Sequence, residues 1–306
     1  MSVPIISVVG PTASGKTALG VALAKQIGAE VISLDSMQIY RQMDIGTAKI
    51  TREEMMGVPH HMIDILQPTE KYSVRQFTAN ARVIIDDLLQ RGVPVVLVGG
   101  TGLYLDHLIR DTKFVDLPTD TVVREKLSRK SPEVLYEDLS AVDPVSAARL
   151  HPNDKKRVIR ALEIYHTSGK TASYWIEQSH VDSHPLNALL IGLSPRDRST
   201  LYRNIDTRVD KMIRDGLERE VRRLLELDGF LGSTAAEAIG YKEMIAYVQG
   251  RIALSQATEL IKRNTRRYAK RQLTWFRHEE NIHWLISDRP LRELLDDALR
   301  ILADNS

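Results

Sequence analysis

Residues 10–17 constrain most strongly what this chain can fold into. They read Gly-Pro-Thr-Ala-Ser-Gly-Lys-Thr, with the spacing G-x-x-x-x-G-K-[ST]. A short apolar, β-branched run precedes them at 4–9, and apolar residues at helical spacing follow them. The sequence therefore predicts a buried strand, a glycine turn and a helix, which is the context of a phosphate-binding P-loop.

The residue types in this motif explain how it would bind phosphate. Gly10 and Gly15 let the backbone curl so that successive N–H groups point at an anion. Lys16 adds a full charge to the positive end of the helix dipole, and the Thr17 hydroxyl suits magnesium. The alternative is a glycine-rich turn that binds nothing. We expect a di- or triphosphate to be bound by the whole motif, Gly10, Pro11, Thr12, Ala13, Ser14, Gly15, Lys16 and Thr17.

Two further predicted strands end next to polar residues. The strand at 30–34 is followed by Asp35, and the strand at 92–98 leads into a glycine turn with Thr101. In an open parallel sheet the ligand crevice lies outside the carboxyl ends of the strands. We therefore expect Asp35 and Thr101 to face the same crevice as the P-loop.

Three interpretations of Asp35 stay open on the sequence alone. It could bind magnesium, as an acidic residue after an apolar strand does in many P-loop enzymes. It could be a general base on an attacking group. It could also be a loop aspartate that caps the following turn. The strand at 92–98 lacks a terminal acidic residue, which counts against an ATPase motor.

The chain changes character after about residue 113. Residues 113–185 contain no apolar strand run and are divided into short helical segments by Pro and Asp. Apolar strands resume at 187–195 and 281–286. We predict an α/β fold, a P-loop NTPase-like parallel sheet flanked by helices. Residues 1–112 plus 186–306 would form this core, and residues 113–185 a helical insertion domain.

Composition limits the remaining classes. The net charge is only +2, so a nucleic-acid role needs a local basic patch. The chain has no cysteine, which excludes disulfides and cysteine-based zinc sites. No apolar run approaches the roughly 18 residues of a membrane span, and the first residues enter a strand without a charged leader. These features favour a cytoplasmic enzyme. The adjacent His60 and His61 are predicted to be loop or packing residues.

Local basic patches occur on two predicted helices. The helix at 155–165 begins with basic residues, and the helix at 253–276 has seven basic and no acidic residues between 262 and 277. Four basic residues of the second helix share one face: Arg263, Arg267, Lys270 and Arg271. Together with Tyr268, Trp275 and Phe276 they suit a phosphate backbone with bases that can stack. The alternative is a helix packed on an acidic surface of the same protein.

A third charged helix follows the strand at 187–195. Several arginines lie along residues 196–214, and one of them could reach the phosphates. Arg208 is the candidate, although periodicity alone does not choose it over Arg203.

Motifs along nearly the whole chain together resemble the tRNA dimethylallyltransferases, bacterial type. The matching segments are 10–17, Asp35-Ser36 with Gln38-Ile39-Tyr40, 44–49, 59–61, 99–104, 157–163, 239–242 and 270–277. Eukaryotic relatives in that family carry a cysteine-bearing zinc finger, which this cysteine-free chain lacks.

The resemblance implies a particular reaction. The donor would be dimethylallyl diphosphate, with Mg²⁺, and pyrophosphate would leave. The acceptor would be the exocyclic amine of the adenosine 3′-adjacent to the anticodon, position 37, in tRNAs reading codons that start with U. Asp35 would be the general base, Thr101 would contact the base or the pyrophosphate, and Lys16 and Arg208 would act on the phosphates. Thr17 and Asp35 would hold the magnesium.

The resemblance also implies a surface for the anticodon stem-loop of tRNA on a monomeric enzyme. In the insertion the family usually has Gln-Arg where this chain has Lys156-Arg157. The residues implied to contact tRNA are Asp35, Ser36, Met37, Gln38, Thr101, Lys156, Arg157, Val158, Ile159, Arg160, Gly240, Tyr241, Lys242, Arg263, Arg267, Lys270, Arg271 and Arg277.

Three other functions remain compatible with parts of the sequence. One is prenyl transfer to free AMP or ADP, which would leave the basic helix without a use. A second is a P-loop kinase of a small metabolite, with the insertion as a lid. A third is a non-catalytic RNA-binding module with a vestigial P-loop.

Overall fold

The computed structural model describes residues 4–112, 120–179 and 184–305. The chain divides into two compact units. The first unit combines Met1–Ile109 with Leu186–Ser306, and the second is Arg110–Pro185. The predicted domain boundary at residue 113 and the first three residues lie outside the described part of the chain.

A six-stranded sheet forms the centre of the first unit. All of its neighbouring strands pair in parallel, in the order β3-β2-β4-β1-β5-β6. The strands are β1 Ile5–Val9, β2 Glu30–Leu34, β3 His60–His61, β4 Val95–Gly99, β5 Ala188–Ser194 and β6 Ile282–Ile286. The predicted parallel α/β fold is therefore confirmed.

The register of the central strands aligns their carboxyl ends. Val9 at the end of β1 lies opposite Gly99 of β4 and Gly192 of β5, and Leu34 at the end of β2 also lies opposite Gly99. The loops that leave β1, β2 and β4 therefore emerge at one edge of the sheet.

The prediction of a loop at His60 and His61 is wrong. These residues form the short edge strand β3, which pairs with Val31 and Ile32 of β2. Nε2 of His61 also contacts the Glu30 carboxylate at 2.6 Å. Two residues give no readable alternation of apolar and polar side chains, so the sequence pattern could not identify this strand.

Helices connect and cover the strands. They are α1 Lys16–Ile27, α2 Val74–Gln90, α3 Gly102–Ile109, α4 Thr121–Ser128, α5 Pro132–Val142, α6 Pro144–Arg149, α7 Lys155–Ser168, α8 Ala172–Gln178, α9 Arg198–Asp215, α10 Leu217–Leu225, α11 Tyr241–Val248, α12 Leu254–Phe276 and α13 Leu291–Asp304. Within the described residues, each helix is too short or too polar to cross a lipid bilayer.

Strand alternation distributes the core over both faces of the sheet. Ile6 and Val8 of β1 belong to the apolar cluster that contains α1 and α13. Ile5 and Val9 belong to the cluster on the other face, with α2 and α3. Because side chains alternate along a strand, one short apolar run supplies both layers.

A third apolar cluster, formed by helices α9 to α12, holds the loop that follows β2. Tyr40 and Met43 of that loop are buried in it, as is Ala13 of the P-loop. Glu220 of α10 is also buried, at 1% exposure, and accepts hydrogen bonds from the backbone N–H groups of residues 44–46 at 2.8–3.0 Å. Its fourth donor is the Tyr241 hydroxyl, at 2.7 Å. One buried carboxylate therefore fixes the loop to the helices.

The second unit has a small core of its own, built by α4 to α8. Its buried carboxylate, Glu163, is contacted by Arg124 at 2.8 Å and Arg160 at 2.9 Å. Burial alone would raise the pKa of Glu163, but these two hydrogen-bonded arginines hold it below its usual range. On the side of the first unit, the Leu186 N–H donates to the Ile109 carbonyl at 2.8 Å. This bond joins the ends of the two segments of that unit.

We predict that Glu220→Ala strongly destabilises the protein. Four donors would lose their acceptor in a buried site, which costs about 3 kcal/mol or more of the free energy of unfolding. Urea denaturation would measure this. The matched control on the same helix is Glu218→Ala, which removes an exposed pair with Arg222 and should cost roughly 0.5 kcal/mol. Equal losses in the two variants would contradict the role of Glu220.

Candidate active site

The P-loop has the predicted strand, turn and helix. The helix α1 begins at Lys16, and Gly15 caps it with φ +85°. Gly10 has φ +152°, and a Cβ there would lie 2.6 Å from the Leu193 carbonyl oxygen. A side chain at either glycine would therefore strain the loop, and at Gly10 it would also collide with β5.

Lys16 is a half-buried cation at the start of α1. Its Nζ donates to the Pro11 carbonyl at 3.2 Å. Burial, and then the neighbouring Arg208, lower the pKa of Lys16 from 10.5 to about 8, and the opposite charge of Asp35 limits this shift. The site therefore holds a positive charge that lacks part of its solvation and that an anion would stabilise.

Arg208 of α9 reaches the P-loop. Its Nη1 donates to Oγ1 of Thr12 at 3.2 Å. Burial lowers the pKa of Arg208, with Asp35 opposing the shift. Arg203 is exposed and donates to Thr200 of its own helix at 3.0 Å. The structure thus makes the choice between these two arginines that periodicity could not make.

Asp35 lies at the end of β2, close enough to affect both cations electrostatically. Its Oδ1 accepts from the backbone N–H of Met37 at 2.8 Å and of Gln38 at 3.2 Å. The turn-capping interpretation therefore describes one oxygen of this carboxylate. The other oxygen, Oδ2, takes no part in these turn bonds and is the one that could act on a ligand.

Thr101 lies between β4 and α3, at the same edge of the sheet. Its backbone N–H donates to the Leu34 carbonyl at 3.2 Å. The side chain of Thr101 lies beside the Tyr268 hydroxyl of α12. Burial and the negative charge of Asp35 raise the pKa of Tyr268 to about 12, so its hydroxyl stays protonated. The expected grouping of the P-loop, Asp35 and Thr101 at one sheet edge is observed.

Sequence reasoning assigned no role to Gln272, and it assigned Tyr268 only a stacking role beside the basic face of its helix. The Gln272 amide lies between two loops of the site: its Oε1 accepts from the Thr12 N–H at 2.9 Å, and its Nε2 donates to the Gly100 carbonyl at 2.8 Å. The available signal was a polar residue on the inward face of α12, which is otherwise apolar. Such a residue must find hydrogen-bond partners when it is buried.

The residues present fit a magnesium ion together with a diphosphate. No cluster of three His, Cys, Asp or Glu side chains that could hold a metal occurs in the part of the chain that the structure describes. Mg²⁺ usually takes only one or two carboxylates plus substrate phosphates. Asp35 offers such a carboxylate, and the exposed Thr17 offers a hydroxyl. The buried Ser14 hydroxyl, without a hydrogen-bond partner among the described residues, is a further polar group in the loop.

The basic residues of α12 divide into two groups. Lys262 lies 2.7 Å from Asp210 of α9, and Arg266 pairs with Asp206 of the same helix. Packing on an acidic surface therefore explains these two residues. The other basic residues of the segment are exposed: Arg263, Arg267, Lys270, Arg271 and Arg277. We call these five residues the basic stripe.

An open hollow of about 740 Å³ lies beside the basic stripe. Arg267, Lys270 and Arg271 line it, together with Trp275. The Trp275 indole N–H donates to Oδ2 of Asp106 at 3.1 Å. The stacking role expected for Phe276 is wrong, because this ring is completely buried under the sheet. Trp275 and Tyr268 are the two half-buried aromatic residues beside the basic stripe.

Some residues expected to contact tRNA are not accessible. Gly240 and Tyr241 are buried at the start of α11, where Tyr241 binds Glu220. Both belong to the core, so their contact with tRNA stays a prediction without an exposed side chain to support it, whereas Lys242 is exposed. Near Asp35, the turn after β2 contains three half-buried residues: Ser36, Met37 and Gln38. The Met37 side chain packs on the apolar cluster formed by α9 to α12.

In the second unit, only the first two of the five α7 residues expected to contact tRNA are exposed. Lys156 and Arg157 are exposed, and Arg157 pairs with Asp154. Val158 and Ile159 are buried in the core of that unit, so their contact with tRNA stays a prediction that no exposed side chain supports. Arg160 is held by Glu163 at 2.9 Å. A basic helix start contains inward positions as well, and the sequence match did not separate them.

Fold and site define a P-loop protein with a carboxylate facing its phosphate cradle and a basic helix at the same sheet edge. A family model described as IPP transferase matches residues 38–279. The chain belongs to this family.

Individual relatives cover nearly the whole chain. A tRNA dimethylallyltransferase of Carboxydothermus hydrogenoformans is 48% identical over 303 residues, which span 98% of this chain and 97% of the relative. A tRNA isopentenylpyrophosphate transferase of Bacillus halodurans has a similar structure, with a TM-score of 0.74 at 42% identity, covering 98% of this chain and 97% of the other. A eukaryotic dimethylallyltransferase acting on tRNA gives a TM-score of 0.81 at 28% identity, covering 98% of this chain and 80% of the other.

We predict that Lys16→Met stabilises the free protein while it removes diphosphate binding. The pKa of Lys16 is about 8 in the fold and near 10.5 when unfolded, so its charge opposes folding below pH 8. The gain should be on the order of 1 kcal/mol, since solvent screens the half-exposed site.

Melting temperatures of both proteins as a function of pH test this prediction. The wild type should gain stability relative to the variant as the pH rises from about 8 towards 10.5, because its lysine then loses the unfavourable charge. A difference between the two proteins that stays constant over this range would contradict the lowered pKa.

Proposed function

We propose that this chain transfers the dimethylallyl group of dimethylallyl diphosphate to tRNA. The acceptor is the exocyclic amine of the adenosine 3′-adjacent to the anticodon, position 37, in tRNAs reading codons that start with U. Pyrophosphate is released. The observation that carries the proposal is that one helix, α12, supplies inward polar groups to the P-loop site and an exposed basic stripe on its outside.

The donor end of the site suits a diphosphate leaving group. As the bond between carbon and oxygen breaks, negative charge develops on the pyrophosphate. Lys16 and the P-loop N–H groups would stabilise this charge where it develops, and Arg208, bonded to Thr12, lies beside them. Because both cations lack part of their solvation, their interaction with the charge is stronger than it would be in water.

The acceptor end needs a proton acceptor. An adenine amine is a weak nucleophile, so a carboxylate that removes its proton as the new bond between nitrogen and carbon forms would help. Oδ2 of Asp35 is available for this, since the turn bonds use Oδ1. The Thr101 hydroxyl, oriented by Tyr268, would position the base.

Thr17 and Asp35 would hold magnesium against the phosphates. When bound, the ion neutralises charge on the diphosphate and on the leaving pyrophosphate. Lys16 and Arg208 would supply the protein's own positive charge at the P-loop.

The basic stripe supports a macromolecular acceptor. Its five cations are exposed, while Lys262 and Arg266 of the same helix are paired with acidic residues. Flipping the target base out of the anticodon loop costs a few kcal/mol, and contacts between the stripe and phosphates would offset that cost. Lys156, Arg157 and Lys242 are further exposed cations for the same partner. We propose a monomer acting in the cytoplasm.

The competing functions make different use of these features. Transfer to free AMP would leave the stripe without a ligand. In a small-metabolite kinase the phosphoryl group would move, yet β4 ends in glycine where a metal-binding carboxylate would serve such an enzyme. A non-catalytic RNA-binding module would not need a desolvated lysine in its P-loop.

We predict that the wild type transfers label from dimethylallyl diphosphate to unmodified tRNA, and not to AMP, when magnesium is present. Asp35→Asn should lower the transfer rate by about 100-fold or more, because it removes the base. The asparagine oxygen can still accept the two turn N–H groups, so tRNA affinity should change little.

Labelled tRNA and filter binding measure the two quantities. Absence of transfer to tRNA by the wild type would refute the proposed function. An Asp35→Asn variant that loses tRNA affinity as strongly as turnover would refute the general-base role alone.

We also predict that the double change Arg267→Ala and Lys270→Ala reduces the salt dependence of tRNA binding. Each lost phosphate contact lowers the magnitude of the slope of log affinity against log salt by about 0.7 to 0.9, so the two contacts together lower it by about 1.4 to 1.8. Lys262→Ala is the control, since this lysine of the same helix is already neutralised by Asp210. An unchanged slope in the double variant would mean that the stripe does not contact phosphates.

A further inference from the structure

Gln272 is a buried polar side chain outside the groups that would touch either substrate. It projects from the inward face of α12 and is only 6% exposed. Its amide lies between the P-loop, which follows β1, and the glycine turn that follows β4. These two loops carry, respectively, the phosphate cradle and Thr101.

The two hydrogen bonds of Gln272 require an amide in one orientation. The Thr12 N–H needs an acceptor and the Gly100 carbonyl needs a donor. A thioether would satisfy neither group, and a carboxylate would satisfy only the first. Gly100 is matched to this amide, since a Cβ at that position would lie 2.1 Å from Nε2 of Gln272.

Thr12 is therefore held from two helices. Its N–H binds Gln272 of α12, and its hydroxyl binds Arg208 of α9 at 3.2 Å. The Thr12 N–H of the cradle thus points at the protein, and its position does not depend on a bound anion.

Tyr268, one helical turn before Gln272, completes the arrangement on the acceptor side. Its hydroxyl lies beside the Thr101 side chain and the Gln272 amide. With the pKa of Tyr268 raised to about 12, the phenol remains a neutral partner over the working pH range. The P-loop, Gln272, Tyr268 and Thr101 thus form one continuous set of contacts.

We propose that Gln272 and Tyr268 are positioning residues that fix the P-loop relative to Thr101, and so set the distance between the donor diphosphate and the acceptor amine. This inference rests on the proposed function. Neither residue touches the reacting atoms. Both act through groups that do, and a small error in such a distance reduces the transfer rate much more than it reduces tRNA binding.

Two variants of Gln272 separate positioning from simple packing. Gln272→Met keeps the volume and loses both hydrogen bonds, whereas Gln272→Glu keeps the shape and loses one. In single-turnover assays with saturating tRNA and donor, Gln272→Met should be slower than the wild type by about tenfold or more. Its tRNA affinity should stay within about threefold, because the basic stripe is unchanged.

Protonation gives Gln272→Glu a signature that a packing defect lacks. A protonated carboxyl donates to Gly100 and accepts from Thr12, as the amide does. Its rate relative to the wild type should therefore rise by about fivefold or more as the pH falls from about 8.5 to about 5.5. The relative rate of Gln272→Met should stay constant. The charged and titratable groups of the site are Lys16, Arg208, Asp35, Tyr268 and Arg271, and all of them are present in the wild type as well.

Tyr268→Phe tests the acceptor side with the smallest change. It should lower the single-turnover rate by about threefold or more without weakening pyrophosphate binding, since it removes the hydroxyl beside Thr101 while Gln272 keeps its bonds to Thr12 and Gly100. Gln272→Met should weaken pyrophosphate binding, which requires no transfer, by about threefold or more. These two outcomes would show that Gln272 acts on both the P-loop and the glycine turn after β4, and that Tyr268 acts only on the glycine turn.

The inference would be overturned by wild-type single-turnover rates in Gln272→Met, by parallel pH profiles in the two Gln272 variants, or by equal losses of tRNA affinity and rate. Inactivity of the wild type towards tRNA would refute the proposed function instead. The pyrophosphate measurements would still decide whether Gln272 positions the P-loop, because they depend on no acceptor.

Discussion

The arrangement of this active site depends on bringing two cations, Lys16 and Arg208, to one glycine loop. Burial removes part of the hydration of both cations. Burial and the charge of Arg208 make ionisation of Lys16 less favourable, and the pKa of Lys16 is lowered as a result. Asp35 offsets part of that repulsion. The rest of the first unit holds these charges in place: β1, β2 and β4 end at one edge, and α9 and α12 fix Thr12 from two sides. A bound diphosphate would supply negative charge that stabilises both cations.

Helix α12 connects recognition with chemistry because its two faces have different tasks. Positions separated by three or four residues share a face, so Tyr268 and Gln272 point to the loops of the site while Arg267, Lys270 and Arg271 remain exposed. Lys262 and Arg266 form ion pairs with acidic residues of α9. These pairs hold α12 against α9. Because one face of α12 contacts the loops of the site and the other exposes cations, the helix can hold a large acceptor close to the P-loop.

The sequence was sufficient where a pattern has one physical cause. A glycine turn between a strand and a helix has few alternatives, and the end of a parallel strand determines where Asp35 and Thr101 must lie. It was insufficient where a residue's role depends on distant partners. The burial of Tyr241 depends on Glu220, which lies 21 residues away, and Gln272 meets Thr12 across 260 residues. The alternation that reveals a strand was too short at His60 and His61, and the inward turn of α7 at Val158 could not be separated from its exposed start.

The hydrogen bond between Leu186 and Ile109 has a consequence for how such a chain can change. It joins the two residues between which the chain of the first unit is interrupted. For the stability of the sheet, the intervening residues therefore act as one long loop. Loop-closure entropy grows only with the logarithm of length, by about 0.6 kcal/mol for each doubling. Evolution can therefore lengthen, shorten or replace the intervening segment with little effect on the stability of the sheet, and substrate selection can diversify there while the phosphate chemistry stays the same.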